Sequence, residues 1–102
     1  MEPIIVKLTG VVFENAQETI RKFGCKDINS FALMREPENP YDPNAIRVHL
    51  GGLFLGYVPR HIAKELAPQM DAGKKLQAFF VQVNEHPKHE RIGLTVSIEE
   101  VP

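Results

Sequence analysis

Apolar and polar residues alternate in several short runs of this chain, a period of two that is typical of β-strands with one buried face. The first run, residues 4–12, is rich in β-branched residues and predicts a strand that ends near Gly10, where a bulge or bend is favoured. Residues 30–35 and 45–50 are predicted to form the next two strands.

The run at residues 45–50 also predicts which side chains are buried. Its apolar residues alternate with Arg47 and His49, so we expect these two side chains to face away from the core. Gly51 and Gly52 follow, and they predict a tight hairpin into a fourth strand at residues 53–58.

The C-terminal part of the chain predicts a long β-hairpin. Residues 75–86 and 91–100 both alternate, and the segment PKHE, residues 87–90, joins them. The side chains expected on the core face are Leu76, Phe79 or Phe80, Val81, Val83, Ile92, Leu94, Val96 and Ile98.

Two segments show the helical period instead. In residues 13–24 apolar side chains recur at helical spacings, and Gly24 follows as a C-cap. The second predicted helix begins at Pro59 and ends at Gly73, and Pro68 is expected to disturb it near its end. The expected apolar faces are Phe13, Ala16, Ile20 and Phe23 in the first helix, and Ile62, Leu66 and Met70 in the second.

Six strands and two helices of these lengths predict a mostly β, α+β fold: a small antiparallel six-stranded β-barrel or strongly curved sheet with helices packed on it. The 102 residues, 43% of them hydrophobic, suffice for one core, so we expect one domain over residues 1–102.

No apolar run approaches the roughly 20 residues of a membrane helix, and no signal peptide is evident. We therefore expect a cytoplasmic protein with no membrane partner. The lone Cys25 fits a reducing compartment, but we favour its interpretation as a small side chain in a turn.

Charge and motifs narrow the classes of function. Twelve Lys and Arg against thirteen Asp and Glu give a formal net charge of −1, so any anion site must be local. The sequence has no Gly-rich phosphate loop, nucleophile elbow or CxxC pair, so we expect neither an enzyme nor a cofactor. His86 and His89 have a spacing that can hold a metal, but we favour their interpretation as solvated turn residues.

The start of the second helix departs from the usual composition of helix N-termini. Unpaired N–H groups there favour Ser, Thr, Asp or Asn caps and acidic residues in the first turn. This helix instead follows Val58 and places Arg60 and His61 in its first turn. A bound phosphate would satisfy the N–H groups and neutralise Arg60. A water-capped helix with an exposed arginine is the alternative.

Between two predicted strands lies the proline-rich turn NPYDPN, residues 39–44. Its two prolines restrict the backbone and hold Tyr41 in place, and its Asn and Asp side chains can fix the turn by bonding nearby backbone. Tyr41 beside Asp42 also suits a nucleotide site, since the ring can stack a base and the carboxylate can accept a hydrogen bond from a sugar hydroxyl. Because a carboxylate repels phosphates, such a site would recognise the hydroxyl end of a strand.

The segments REPENPYDPNAI and LGYVPR closely resemble the HIRAN domain, which is found at the N-terminus of Swi/Snf-type fork-remodelling ATPases and as a free-standing small protein in bacteria. The resemblance covers nearly the whole chain, from KLTGVVFEN to the last strands. It implies an OB-like β-barrel with two helices that binds single-stranded DNA and captures its 3′-hydroxyl end, in DNA repair or at stalled forks.

The resemblance also implies roles for individual residues. Tyr41 is expected to stack the terminal base and Asp42 to hold the 3′-hydroxyl, with Asn39 in the same pocket. Arg60 is expected to face the phosphate backbone. Tyr57 stands where the best-known eukaryotic relative has histidine, and it can stack or donate a hydrogen bond to phosphate.

The resemblance departs in the first strand, where that relative has an arginine and a tyrosine and this chain has Val6 and Lys7. Lys7 can supply charge there but no stacking ring, so we expect weaker binding of the strand end. We expect Lys7, Lys64 and the N–H groups after Val58 to contribute further phosphate contacts.

Two hypotheses of different classes follow. The first is a module that binds the 3′ end of single-stranded DNA, with a helicase or nuclease as a candidate partner protein. The alternative is a protein-interaction adaptor that uses the same barrel without binding nucleic acid, and the near-zero net charge supports it.

Overall fold

The structure is a computed structural model that describes residues 1–23 and 30–102, and for residues 23, 86 and 89 it describes the backbone only. The predicted C-cap at Gly24 and the lone Cys25 lie outside the described residues. The side chains of His86 and His89 do as well, so their proposed roles stay predictions.

Six strands form one antiparallel sheet, with two helices packed on it, and this confirms the predicted fold class. Along the sheet the strand order is β1-β6-β5-β2-β3-β4. In chain order the elements are β1 (Ile4–Lys7), α1 (Ala16–Phe23), β2 (Ser30–Arg35), β3 (Ile46–Leu50), β4 (Leu53–Tyr57), α2 (Arg60–Asp71), β5 (Leu76–His86) and β6 (His89–Glu100).

The two edges of the sheet meet just beyond β1, which curls the sheet into a barrel. The N–H of Thr9 donates to the carbonyl of Tyr57 at 2.9 Å, and the N–H of Tyr57 donates back at 2.8 Å. At this closure a Cβ on residue 56 would lie 2.9 Å from the carbonyl oxygen of Thr9. Gly56 is therefore required for the two edges to approach this closely.

The inward-facing side chains of the strands and one face of each helix form the core. Helix α1 packs against β4 and β6, and α2 buries Ala63, Leu66 and Ala67 in the same cluster. None of the helices in the described ranges has the length and apolarity needed to cross a membrane. The largest fully buried side chains are Phe31, Ile20, Ile46, Leu55, Leu66, Leu94, Ile98, Val48 and Val96.

The first strand and first helix are both shorter than predicted. The chain turns at Gly10, whose φ of 63° fits the expected bend, and strand β1 has already ended at Lys7. Helix α1 begins at Ala16 because Glu14 and Asn15 have left-handed φ values of 51° and 64°. Phe13 therefore lies outside the helix, and its side chain is 57% exposed instead of buried as predicted.

In the C-terminal hairpin β5 ends at His86 as predicted, but β6 begins at His89, two residues earlier than predicted, so a two-residue turn at Pro87 and Lys88 joins the strands. The register of β5 shifts between Phe80 and Gln82. Phe80 packs against the core, whereas Val81, predicted to face the core, is exposed because the irregularity breaks the alternation.

Helix α2 has nearly the predicted bounds. Pro59 occupies the N-cap position, and the helix runs through Pro68 to Asp71. Pro68 lies in the last turn, and its carbonyl still accepts from the N–H of Ala72 at 3.0 Å, so the expected disturbance does not end the helix. Gly73 follows with a φ of 102°, as predicted for the terminator.

Candidate functional site

A cleft of about 810 Å³ opens where the barrel closure meets the proline-rich turn and the start of α2. It brings together five of the seven predicted site residues, and the other two lie elsewhere. The predicted residues that line this cleft are Asn39, Tyr41, Asp42, Tyr57 and Arg60.

The proline-rich turn is fixed by its own side chains. The side-chain oxygen of Asn39 accepts from the N–H groups of Tyr41 at 2.8 Å and Asp42 at 3.0 Å. Asp42 in turn accepts from the N–H of Asn44 at 2.9 Å. Asn39 and Asp42 thus bond the backbone, as the sequence predicts, while Tyr41 lines the cleft and is 84% exposed.

Arg35, at the end of β2, anchors the far side of this turn. Its guanidinium donates to the carbonyls of Ala45 at 2.8 Å and Pro43 at 3.0 Å. The same group forms an ion pair with Asp71 at the end of α2, at 3.0 Å. The turn is therefore tied both to the sheet and to the helix.

Glu36 is the centre of a polar network beneath the cleft. Its carboxylate accepts hydrogen bonds from Arg47 at 2.9 Å, from the Tyr57 hydroxyl at 2.9 Å and from the Asn39 side-chain amide. Arg47 also pairs with Glu14 at 2.7 Å. One carboxylate thereby joins the turn, through Asn39, to the end of β4, through Tyr57.

The outward-facing residues of β3 are covered by this network and by two rings. The guanidinium of Arg47 lies 4.6 Å from the centre of the Phe54 ring, and its Nε donates to Nε2 of His49 at 2.9 Å. The rings of Phe54 and Tyr57 meet edge to face at 5.3 Å. Arg47 and His49 do face away from the core, as predicted, but His49 and Phe54 are buried in a second, polar-aromatic cluster.

The network shifts the ionisation of its members in the direction that preserves it. The hydrogen bond from Arg47 lowers the pKa of Glu36, which keeps the carboxylate charged. Burial and the neighbouring Arg47 cation lower the pKa of His49 and favour the neutral imidazole that accepts from Arg47. Burial and the hydrogen bond to Glu36 raise the pKa of Tyr57, so its hydroxyl stays a donor.

The first turn of α2 faces the proline-rich turn. The helix has no side-chain cap and no acidic residue in its first turn. Arg60 donates to the carbonyl of Tyr41 and lies 3.5 Å from the Asp42 carboxylate. The Arg60 charge is thus partly balanced by Asp42 within the protein, although its side chain is 70% exposed and accessible to a further anion.

The remaining two predicted residues do not line this cleft. Lys7 lies in a second cleft of about 720 Å³, between the end of β1 and the β5–β6 hairpin, which also holds Arg91, Glu85 and Glu90. Lys64 is exposed one helical turn after Arg60 and lines neither cleft. Among the described side chains no group of three His, Cys, Asp or Glu residues could hold a metal.

Several cleft residues were not predicted from the sequence. Glu36, which directly follows β2, pairs with Arg47 of the neighbouring strand β3, which lies beneath the cleft and does not line it. The expected outward direction of Arg47 was a usable signal for this pair. Phe13 and Glu14 had no such signal, because their helical spacing assigned Phe13 to the core. Their place at the cleft follows from the left-handed turn before α1.

The sequence of this chain is similar to a known domain family and to short segments of larger proteins. The model of the HIRAN domain family matches residues 5–101. A Fanconi-associated nuclease 1 homolog of Oryza sativa subsp. japonica is 48% identical over 46 residues, which are 41% of this chain and 5% of that protein. The helicase-like transcription factor of Oryctolagus cuniculus is 51% identical over 41 residues, 39% of this chain and 4% of that protein. The chain thus corresponds to a small part of each.

Two solved structures share the fold. The crystal structure of the HIRAN domain of human HLTF superposes with a TM-score of 0.64 and 23% identity, over 94% of this chain and 74% of that one. The crystal structure of a protein from Lactobacillus plantarum superposes with a TM-score of 0.74 and 24% identity, over 97% of this chain and 95% of that one.

Proposed function

This chain belongs to the HIRAN domain family of nucleic-acid-binding modules, and from that premise we propose that it binds single-stranded DNA and recognises the 3′-hydroxyl end. The observation that carries the proposal is the position of Tyr41. This aromatic residue is 84% exposed and stands on a rigid turn at the rim of a cleft large enough for a nucleotide.

The turn is prepared for stacking before any ligand binds. Its backbone is held by Asn39, by Arg35 and by two prolines, so little conformational entropy is lost when a base stacks on Tyr41. Base–aromatic stacking contributes about 1–3 kcal/mol per base and tolerates every base. Tyr41 thus provides affinity for a strand without reading its sequence.

The charge of the cleft favours binding of the end of a DNA strand over binding of an internal segment. Asp42, Glu36 and Glu14 line it and would repel a phosphate placed among them, whereas a terminal hydroxyl can donate to a carboxylate. Arg60, beside Asp42, would contact the phosphate that precedes the terminal sugar. Tyr57 lines the same cleft with its hydroxyl committed to Glu36, so in our proposal its ring contacts the nucleotide.

Lys7 and Lys64 have a different place in the proposal. Neither lines the cleft, so they would contact phosphates further along the strand, Lys64 beyond Arg60 on α2 and Lys7 in the second cleft. Their contributions would appear as a dependence of affinity on salt concentration and strand length.

The named relatives suggest a setting for this activity. One is a nuclease homolog and another a helicase-like factor, and each contains a segment similar to part of this chain. We propose a role in DNA repair in which the chain delivers a strand end to a helicase or nuclease. The domain itself acts as a binding module and leaves the chemistry to that partner.

The test is fluorescence anisotropy of a short single strand that carries either a 3′-hydroxyl or a 3′-phosphate, at two salt concentrations. The hydroxyl end is expected to bind more tightly, and Asp42→Asn is expected to remove that preference while still accepting from the N–H of Asn44. Tyr41→Ala is expected to weaken both ends by about fivefold or more, and Tyr41→Phe to retain binding. Equal affinity for the two ends in the unmodified protein would refute end recognition.

The acidic lining also favours one alternative, a protein adaptor whose cleft takes a basic peptide segment. Glu14, Glu36 and Asp42 would attract lysine or arginine side chains. If no single strand binds even at low salt, and a lysine-rich peptide binds the unmodified protein but binds Asp42→Ala more weakly, the adaptor function replaces the proposal.

A further inference from the structure

We propose that the turn of Phe13, Glu14 and Asn15 is a second wall of the cleft that reads a base. On this wall Phe13 stacks a base of the bound strand, and Glu14 accepts a hydrogen bond from the amino group of that base. The inference rests on the proposed binding of single-stranded DNA and adds a base preference to it.

Phe13 is an exposed ring held at a defined place. Its side chain is 57% exposed and lines the same cleft as Tyr41 and Tyr57. A Cβ on Gly10 would lie 3.0 Å from the Tyr57 ring and 3.2 Å from the Phe13 ring. Both rings therefore pack on the glycine, and the exposed part of Phe13 stands beside Tyr57 at the cleft.

The backbone of residues 13–15 forms a turn that holds this wall in position, and helix α1 begins only after it, at Ala16. Glu14 and Asn15 have left-handed φ values, which residues with a Cβ adopt rarely. The N–H of Ala16 bonds the carbonyl of Phe13 at 2.9 Å, and the N–H of Phe13 bonds the carbonyl of Gly10 at 3.2 Å. If the helix began at Phe13, as the sequence predicts, this ring would belong to the apolar face of the helix. The turn instead places the ring at the cleft.

Glu14 adds a hydrogen-bond acceptor beside this ring. Arg47 donates to its Oε1 at 2.7 Å, and the Glu14 side chain is 52% exposed and lines the cleft, so we assign Oε2 to a donor from the bound base. The bond from Arg47, which lies beneath the cleft, thereby fixes the orientation of the Glu14 carboxylate. A carboxylate fixed in this way accepts from donors and repels phosphates and carbonyl oxygens.

The chemistry of the bases then predicts a preference. Cytosine and adenine present an exocyclic amino group that can donate to a carboxylate, whereas thymine presents a carbonyl oxygen at the corresponding position. Single-stranded bases are free to offer these edges while they stack on an aromatic ring. The Phe13–Glu14 wall should therefore favour cytosine and adenine over thymine near the bound end.

The experiment compares two short oligothymidines, one with thymine and one with cytosine at its last two positions, by anisotropy at low salt. The unmodified protein is expected to favour the cytosine end at least about threefold, from one added hydrogen bond. Glu14→Gln is expected to remove this preference, because its amide oxygen can still accept from Arg47 while its amide nitrogen, a donor, replaces the second carboxylate oxygen. Phe13→Ala is expected to weaken both ends about fivefold or more.

Matched controls separate the site from general destabilisation. Val81→Ala removes part of an exposed apolar side chain on β5, and Glu65→Gln removes an exposed carboxylate on α2, and neither residue lines the cleft. Both are expected to bind as the unmodified protein does. Phe13→Leu keeps an apolar contact on Gly10 without an aromatic face, so it is expected to melt near the unmodified protein and still bind weakly.

The outcomes distinguish this inference from the function on which it rests. If Tyr41→Ala loses affinity while Phe13→Ala and Phe13→Leu bind normally, or if Glu14→Gln keeps the preference for cytosine, the second wall is wrong and the proposed function stands. If the unmodified protein binds neither oligonucleotide at low salt, the proposed function and the wall fail together.

Discussion

The two faces of β3 are both covered, but by opposite kinds of side chain. Ile46 and Val48 point into the barrel and are completely buried among apolar residues. Arg47 and His49 point outward and are covered by Glu36, Glu14 and two aromatic rings. One strand thus contributes to the hydrophobic core on one face and to a hydrogen-bonded cluster on the other.

The two faces of β3 differ in how precisely their interactions fix the positions of neighbouring side chains. Apolar burial is strong and non-directional, so the inner face holds the barrel together without fixing any group at the cleft. Hydrogen bonds are weaker in net free energy but directional, and those of Glu36 set the positions of Tyr57 and Asn39. We therefore expect inner-face substitutions to affect mainly stability and outer-face substitutions to affect binding disproportionately.

The largest loss of stability is expected from Ile46→Ala. Removing a fully buried isoleucine side chain leaves a cavity and lowers the free energy of unfolding by about 2–5 kcal/mol. Urea denaturation measures this change, and anisotropy at a temperature where the variant stays folded should show binding close to that of the unmodified protein. A folded variant that no longer bound would show that the inner face also positions the cleft.

A smaller loss of stability with a larger loss of binding is expected from Glu36→Ala. Arg47, the Tyr57 hydroxyl and the Asn39 amide would lose their shared acceptor, at a cost of about 2 kcal/mol. Because Asn39 also holds the turn that carries Tyr41, oligonucleotide affinity should fall more than in Ile46→Ala. The control is Glu38→Ala, which removes an exposed carboxylate just before the same turn and should change neither property.

The outer face should also make stability depend on pH. The folded-state pKa of His49 is lowered, chiefly by burial, so the unfolded chain takes up a proton first as the pH falls below about 6.5, and stability declines. The folded-state pKa of Glu36 is lowered by Arg47, so its stabilisation is present above its ordinary pKa, about 4.3, and is lost as the pH falls further.

Thermal melts from pH 7.5 to 3 would show both steps. His49→Gln is expected to flatten the step between pH 7 and 5, and Arg47→Met to reduce the one below pH 4.5. An unchanged step near pH 6 in His49→Gln would assign that titration to another histidine.

Much of the fold was predictable because periodicity reports burial directly. The strand predicted at residues 30–35 and the alternation with its glycine pair at residues 45–52 correspond to β2 and the β3–β4 hairpin as observed. The shift at Val81 was not predictable, because an irregularity in one strand depends on its partner and leaves no local pattern. Likewise, the left-handed pair at Glu14 and Asn15 interrupts an apolar spacing that is otherwise helical.

The site was predictable only where its residues are local to one another. Asn39, Tyr41 and Asp42 belong to one stiff turn, so their proximity follows from the chain itself. The contact of Arg60 with this turn, and the bonds from Arg47 and Tyr57 to Glu36, join different elements and require the closed sheet. The single domain over residues 1–102, the cytoplasmic location and the roles of the site residues stay predictions.

The smallest change in stability is expected from Arg60→Ala. This variant should weaken the binding of single strands while leaving the free energy of unfolding almost unchanged. Its pair with Asp42 is long, at 3.5 Å, and the Arg60 side chain is mostly exposed, so the loss of this pair should change the free energy of unfolding by less than about 0.5 kcal/mol. If Arg60 contacts a phosphate, the variant should bind single strands more weakly, and the slope of log affinity against log salt should fall by about one. Glu65→Ala, on the same helix, serves as the control. An unchanged salt slope with weaker binding would mean that Arg60 acts by holding Asp42 and the turn, and the outer network would then extend to the start of α2.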